Sequence, residues 1–213
     1  MYPRKVLIVG GSGFVGSAVA SQLAAAGVAL VREAKQHGVK VSCDVAIHHL
    51  HLSETDIGFF DSHARFDPPL RSGADRAALR KAVSEGLAAV CSDHSPVDED
   101  GKQLPFAEAV PGATGLELLL PLTLKLAEEM KIPLVTALAR VTCDPAAVLG
   151  IDAGTLAVGK PADICVFEAH EPWRVLPEAL RSQGKNTPFI GYEMAGRVSA
   201  TLVGGRLVFA RQG

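Results

Sequence analysis

Leu87-Ala88-Ala89-Val90-Cys91-Ser92-Asp93-His94-Ser95-Pro96 is an apolar, strand-like run that ends abruptly in an acid, an imidazole and a proline. In α/β folds the C-terminal end of a parallel strand is where chemistry sits, because a rigid strand presents the following residues to a cleft. A second run has the same form: Val39-Lys40-Val41-Ser42-Cys43-Asp44-Val45-Ala46-Ile47, followed by His48, His49, Leu50 and His51. Two strands are thus expected to deliver His48 and Asp93 to one rim.

Outward from these runs the pattern alternates. Lys5-Val6-Leu7-Ile8-Val9 reads as a buried parallel strand, and Gly10-Gly11-Ser12-Gly13-Phe14-Val15-Gly16 as a tight turn opening a helix. Helical spacing continues past Gly27 to Gly38, either as two abutting helices or as one that carries Gly27 at a cost of roughly 1 kcal/mol. After the strand that leads to His48 come an acidic segment (53–61) and a short extended piece at Asp67-Pro68-Pro69-Leu70-Arg71, where the double proline excludes helix. Ser72 caps a helix that Gly86 ends. Strand, helix, strand, short strand, helix, strand implies parallel α/β architecture. Residues 97–111 read as a loop over the site mouth. Three helices follow: residues 116–130 interrupted by Pro121, residues 133–140, and residues 144–149 capped by Asp144. From Ile151 the character changes. Residues 154–167 and 196–209 look like short antiparallel strands with glycine turns.

Composition narrows the function classes. The chain has 213 residues, 48% hydrophobic and 21% charged, with a formal net charge of -2, which suits a folded domain with a sizeable core. No Lys/Arg run supplies the electrostatic footprint of a nucleic-acid binder. The apolar run at residues 6–9 is too short to span a bilayer and leads into a glycine loop, so neither a membrane span nor an export signal is expected. Cys43, Cys91, Cys143 and Cys165 show no zinc-knuckle spacing and read as reduced core thiols of a cytoplasmic protein.

Three sets of residues carry candidate chemistry. Gly10, Gly13 and Gly16 after a strand could cradle a pyrophosphate at a helix N-terminus. The first 27 residues resemble the opening βα element of extended short-chain dehydrogenases. The rest of that pattern fails, with no acidic residue after a second strand and no Tyr-x-x-x-Lys, so NAD(P) binding is not expected. His48 suits a metal, the ordinary alternative being a hydrogen-bonded rim histidine. Asp93 could be a metal ligand or a general base.

From about residue 28 to the C-terminus the chain resembles the C-terminal part of a dihydroorotase, a cyclic amidohydrolase of pyrimidine biosynthesis. The motifs are Asp44-Val45-Ala46-Ile47-His48-His49-Leu50, Asp67-Pro68-Pro69-Leu70-Arg71-Ser72, Cys91-Ser92-Asp93-His94-Ser95-Pro96, Leu104-Pro105-Phe106-Ala107-Glu108, Pro111-Gly112-Ala113-Thr114-Gly115-Leu116-Glu117 and the tail from Gly154 to Phe167. The resemblance implies a zinc-dependent β/α barrel that interconverts carbamoyl aspartate and dihydroorotate. It implies that His48 binds one metal, that Asp93 binds the other and shuttles the proton, and that Asp67, Pro111 and Gly112 line the substrate, with Arg71 stabilising its loop. The family's His-x-His, its bridging lysine or aspartate, a further strand-end histidine and a substrate-clamping arginine have no counterpart in these residues. Two ligands do not hold a catalytic zinc. Val97 replaces a histidine, and Asp67 replaces an asparagine, bringing negative charge toward an anionic substrate. These departures resemble the non-catalytic dihydroorotase homologues that partner aspartate carbamoyltransferase.

The expected architecture is therefore α/β: a half TIM-type β/α barrel with a small C-terminal antiparallel β subdomain. It divides into a Rossmann-like βα unit (1–27) standing for one barrel element, as in a chimera, a C-terminal barrel half (28–150) and the β subdomain (151–213). Three functional readings follow: a dihydroorotase-family pseudoenzyme with a structural or assembly role, an amidohydrolase completed by another chain, or a nucleotide-binding module using the glycine loop. A half barrel leaves apolar surface uncovered, so self-association is expected.

Overall fold

The computed structural model describes residues 6–8 and 24–211. Gly10, Gly13 and Gly16, the candidate pyrophosphate cradle, lie outside the described residues. Three strands, β1 (Val6–Ile8), β2 (Val41–Ala46) and β3 (Ala89–Cys91), form a parallel sheet in the order β1-β2-β3. Val41 pairs with Val6, and Asp44, Val45 and Ala46 pair with Ala89, Val90 and Cys91.

Helix α1 (Ala24–Gln36) runs unbroken through Gly27, so of the two alternatives at that glycine one continuous helix is the one found. Helix α2 (Ile47–His51) follows β2 directly. Helix α3 (Gly73–Ser84) lies beside α1, where Arg32 pairs with Glu85 at 2.6 Å and Lys35 Nζ donates to the Leu87 carbonyl at 3.1 Å. Its start is the expected one: Ser72 Oγ accepts from the Asp75 N–H at 3.1 Å, satisfying one of the donors a helix leaves unpaired. Gly86 follows at φ +76°, a backbone state open to glycine at little cost.

Several expectations are corrected. Asp67 to Arg71 forms no strand, and β2 pairs directly with β3, so the described residues hold three parallel strands rather than four. Pro68 and Pro69 have no N–H to donate to a ladder. The loop at 97–111 contains a short helix, α4 (Glu99–Gln103). Helix α5 (Leu119–Met130) begins late enough that Pro121 falls in its first turn, where proline interrupts nothing. Helices α6 (Leu134–Ala139) and α7 (Cys143–Leu149) follow, and Asp144 does not cap α7 because Arg140, four residues earlier, takes its carboxylate. Residues 154–163 form no strand. The antiparallel sheet is β4 (Ile164–Arg174), β5 (Glu193–Val203) and β6 (Arg206–Ala210), in that order, with Gly204-Gly205 turning between the last two.

One core joins the two sheets. Ile47, Leu50, Phe66, Val90, Leu118, Leu122 and Leu126 cluster with Val175, Phe189 and Met194, and Trp173 packs against them. All four cysteines are free thiols. Cys43, Cys91 and Cys143 are half-buried, but Cys165 is exposed on β4, so it is no core thiol. No helix among the described residues is long and apolar enough to cross a membrane.

Candidate functional site

Parallel register brings the C-terminal ends of β2 and β3 to one end of the sheet. His48 does not cap β2 as a strand-end residue. It occupies the first turn of α2, and its imidazole is 0% exposed. The ring stacks on Phe66 at 4.9 Å and 27°, with Phe189 at 6.4 Å on the same tilt. Neither Nδ1 nor Nε2 has a hydrogen-bond partner. Burial, aided by neighbouring His49, pushes its pKa down to about 3, and the adjoining backbone of Asp93 and Ser92 offsets only part of this. Gly115 closes one side of the ring: a Cβ there would lie 2.4 Å from the Ser92 carbonyl oxygen and 3.2 Å from His48 Nε2.

Asp93 follows β3 with φ +46°, a left-handed conformation that aspartate adopts more readily than most residues. Burial raises the pKa of its carboxyl, and the charges of Asp44 and Asp67 add to the effect. The thiol of Cys91 is also raised, first by burial and then by Asp44. Three carboxylates therefore share one electrostatic neighbourhood at this end of the sheet. His94 Nδ1 accepts from the N–H groups of Gly115 (3.1 Å) and Leu116 (3.4 Å), pinning residues 113–116 against β3.

Asp67 is exposed and, with Pro111, Arg65, Phe66 and Phe106, lines a cleft of about 500 Å³. Gly112 is buried with φ +124°, and a Cβ there would meet the Ser95 carbonyl oxygen at 2.6 Å. Its N–H donates to the Arg65 carbonyl at 2.9 Å. The backbone of Asp93 adjoins His48, the charge of Asp67 acts on Asp93, and Asp67 and Pro111 line one cleft. The Arg71 carbonyl accepts from the Glu54 N–H at 2.9 Å.

Two positioning residues escaped the sequence reading. Asn186 is 5% exposed; its Oδ1 accepts from the Val97 N–H at 2.8 Å, its Nδ2 donates to the Gly112 carbonyl at 3.0 Å, and its own carbonyl accepts from the Thr114 N–H at 2.8 Å. Lys102 is buried and donates to the carbonyl of Ser62 at 3.0 Å, with its pKa pushed down to about 8 by burial and then by Arg65. A lone Asn in Gly184-Lys185-Asn186-Thr187-Pro188 reads as turn chemistry. Lys102 carried no signal in sequence.

The donor set can be tested against a metal. His48, with two buried unpaired nitrogens, suits one ligand position, and Asp93 could supply a second. No group of three His, Cys, Asp or Glu among the described residues could hold a metal ion, and zinc takes at least three protein ligands. The described residues of this chain do not fit a zinc centre unaided.

Residues 15–208 match the model of the amidohydrolase family. The chain is 40% identical over 183 residues to a dihydroorotase of Geobacter metallireducens, covering 85% of this chain and 43% of that protein. It is 43% identical over 206 residues to a dihydroorotase-like protein of Pseudomonas aeruginosa, covering 96% of this chain and 48% of that one. Among solved structures, L-hydantoinase (dihydropyrimidinase) from Arthrobacter aurescens superposes with a TM-score of 0.78 at 28% identity, over 86% of this chain and 42% of that one. The chain thus spans less than half the length of these relatives.

Proposed function

The chain belongs to the amidohydrolase family, and from that premise we propose that it is a dihydroorotase-like polypeptide that does not catalyse alone and serves a structural or assembly role. The observation that carries this reading is the donor count: His48 and Asp93 are the candidate ligands, and among the described residues no group of three His, Cys, Asp or Glu could hold a metal ion. Val97 and Asp67, standing where the family has histidine and asparagine, point the same way, since Asp67 sets a carboxylate on the cleft where an anionic cyclic amide would enter. The assembly partner in this reading is an aspartate carbamoyltransferase.

A second reading is favoured by one feature. The two nitrogens of His48 are buried without partners, a state that costs on the order of 1–3 kcal/mol per unsatisfied group. A metal held jointly with another chain would relieve that cost, and the completed unit would be a zinc-dependent dihydroorotase. In that unit zinc would activate the hydrolytic water. Asp93 would hold and pass the proton, and the backbone at Pro111 and Gly112 would orient the substrate.

Zinc analysis of the purified chain together with a dihydroorotate hydrolysis assay separates these readings. Sub-stoichiometric zinc and no turnover are expected of the chain alone. Stoichiometric, tightly held zinc with turnover would overturn the first reading, and turnover only after adding a second polypeptide would establish the other.

A further inference from the structure

A cavity of about 270 Å³ opens where the first turn of α5 meets the antiparallel sheet. Its wall combines two aromatic rings, Trp173 of β4 and Phe209 of β6, with three arginines. Arg181 comes from the connection between β4 and β5, Arg197 from β5, and Arg211 directly follows β6. Among the described residues that line the cavity, Glu117 is the one acid, and its carboxylate is already engaged. Oε1 accepts from the N–H groups of Arg181 at 2.7 Å and Ser182 at 2.6 Å, and the Ser182 hydroxyl donates to Oε2 at 2.8 Å.

The arginines are unequally satisfied. Glu171 accepts from Arg211 through both of its oxygens, at 2.7 Å for Nη2, and reaches Arg197 only at 3.5 Å. One carboxylate therefore serves two guanidinium groups. The Arg181 guanidinium lies over the Phe209 ring, 5.8 Å from its centroid, and has no oxygen acceptor among the described residues. A guanidinium held over a ring keeps N–H donors free, and its planar fork matches a carboxylate through two parallel hydrogen bonds. The Trp173 indole N–H instead donates to the Gly196 carbonyl at 3.1 Å, which fixes that ring and leaves its aromatic surface to the cavity.

We propose that this cavity binds a small anion built on a single aromatic or heteroaromatic ring that carries a carboxylate. The acid group sits on the Arg181 fork in the positive field of Arg197 and Arg211, and the ring packs against Trp173 and Phe209. The volume lies at the small end of ligand pockets, so it admits one ring with its acid group and no dinucleotide. None of the cavity's lining residues lines the cleft that holds Asp67 and Pro111, so the site goes beyond the dihydroorotase-like reading and requires neither metal nor turnover.

Titration of the purified chain with benzoate, followed by tryptophan fluorescence, tests this at the site itself, because Trp173 is the chain's single tryptophan. A saturable change is expected, with a higher melting midpoint at saturating benzoate. R181A should weaken benzoate at least about 10-fold, the scale of a lost charge-assisted fork, and R181K, which keeps the charge without the fork, should lose most of that affinity too. The ligand-free circular-dichroism melts of both variants should match wild type, since the guanidinium has no hydrogen-bond acceptor to lose. Acetate, which has the charge without the ring, and benzamide, which has the ring without the charge, should each bind at least about 10-fold more weakly than benzoate. R206A, which removes an exposed arginine of β6 outside the cavity, should bind benzoate like wild type. No saturable signal in the wild-type chain, undiminished affinity in R181A, equal affinity for acetate or benzamide, or an equal loss in R206A would each overturn the assignment.

Discussion

Between Ala24 and Leu149, with the connection at 175–192, the chain buries polar side chains and pairs most of them internally, whereas the strands β4–β6 set their charges on the surface. His49 Nε2 lies 3.1 Å from the Pro68 carbonyl and His51 Nε2 2.9 Å from that of Leu122, while Asn186 and Lys102 clamp loops. In the sheet, Glu171 binds Arg211 and Arg197 in the open, and Val203, Leu207 and Val208 are exposed. A buried polar group left without its partner carries its full desolvation penalty, while an exposed ion pair exchanges one solvated state for another. The site-bearing region is therefore brittle and specific, and the sheet tolerant.

The largest test of that contrast is acid. Burial holds His48 at about 3 and His51 at about 4, against 6.5 for an unperturbed imidazole. Between those values the unfolded chain binds more protons than the folded one. Their contribution to stability is therefore complete above about pH 6.5 and is lost as pH falls toward 4, at up to roughly 1.4 kcal/mol per pH unit per histidine. Urea midpoints measured from pH 7 to 4 should fall steeply, and a flat profile would break the comparison.

Core truncation comes next. Leu122 is 0% exposed and Leu207 61%, so L122A should cost about 3–4 kcal/mol and L207A less than about 0.5 kcal/mol, both read from denaturant midpoints. Asn186 is the polar counterpart. N186A strands the Val97 N–H and the Gly112 carbonyl and should cost about 2–3 kcal/mol, while E171Q on the sheet should leave the midpoint unchanged. Equal effects from N186A and E171Q would erase the distinction. Among the substitutions in the site-bearing region, the smallest effect is expected at Asp93, whose charge is opposed by burial and by Asp44 and Asp67. Asparagine also tolerates a left-handed backbone, so D93N should raise the neutral-pH melting midpoint by the equivalent of about 1 kcal/mol or less. A lower midpoint would mean that the carboxylate is stabilising.

Local signals were readable where one segment decides its own structure. Ser72 and Gly86 marked the ends of α3, and the apolar runs located β2, β3 and the late switch to antiparallel strands. Reading failed where a distant partner decided. Asp144 has the spacing of a cap, yet Arg140 takes its carboxylate. The Pro68-Pro69 segment is not helical, as read, but with no N–H to donate it joins no ladder and forms no strand. His48 was read as a candidate metal ligand at a strand end, not as a ring stacked on Phe66, because nothing near residue 48 tells of residue 66 or 189. Asn186 bonds Val97, 89 positions away, and no periodicity encodes that.

By itself, the sequence determined the α/β class, the positions of most helices, the placing of Asp93 after a strand, and the likeness to dihydroorotases, since each rests on short-range pattern. Only the tertiary structure decided that β2 pairs directly with β3, that His48 is sealed without partners, and that Asp67 and Pro111 share a cleft. Those outcomes depend on which groups meet across long stretches of chain, and burial, charge and packing act through distance in space rather than along the sequence.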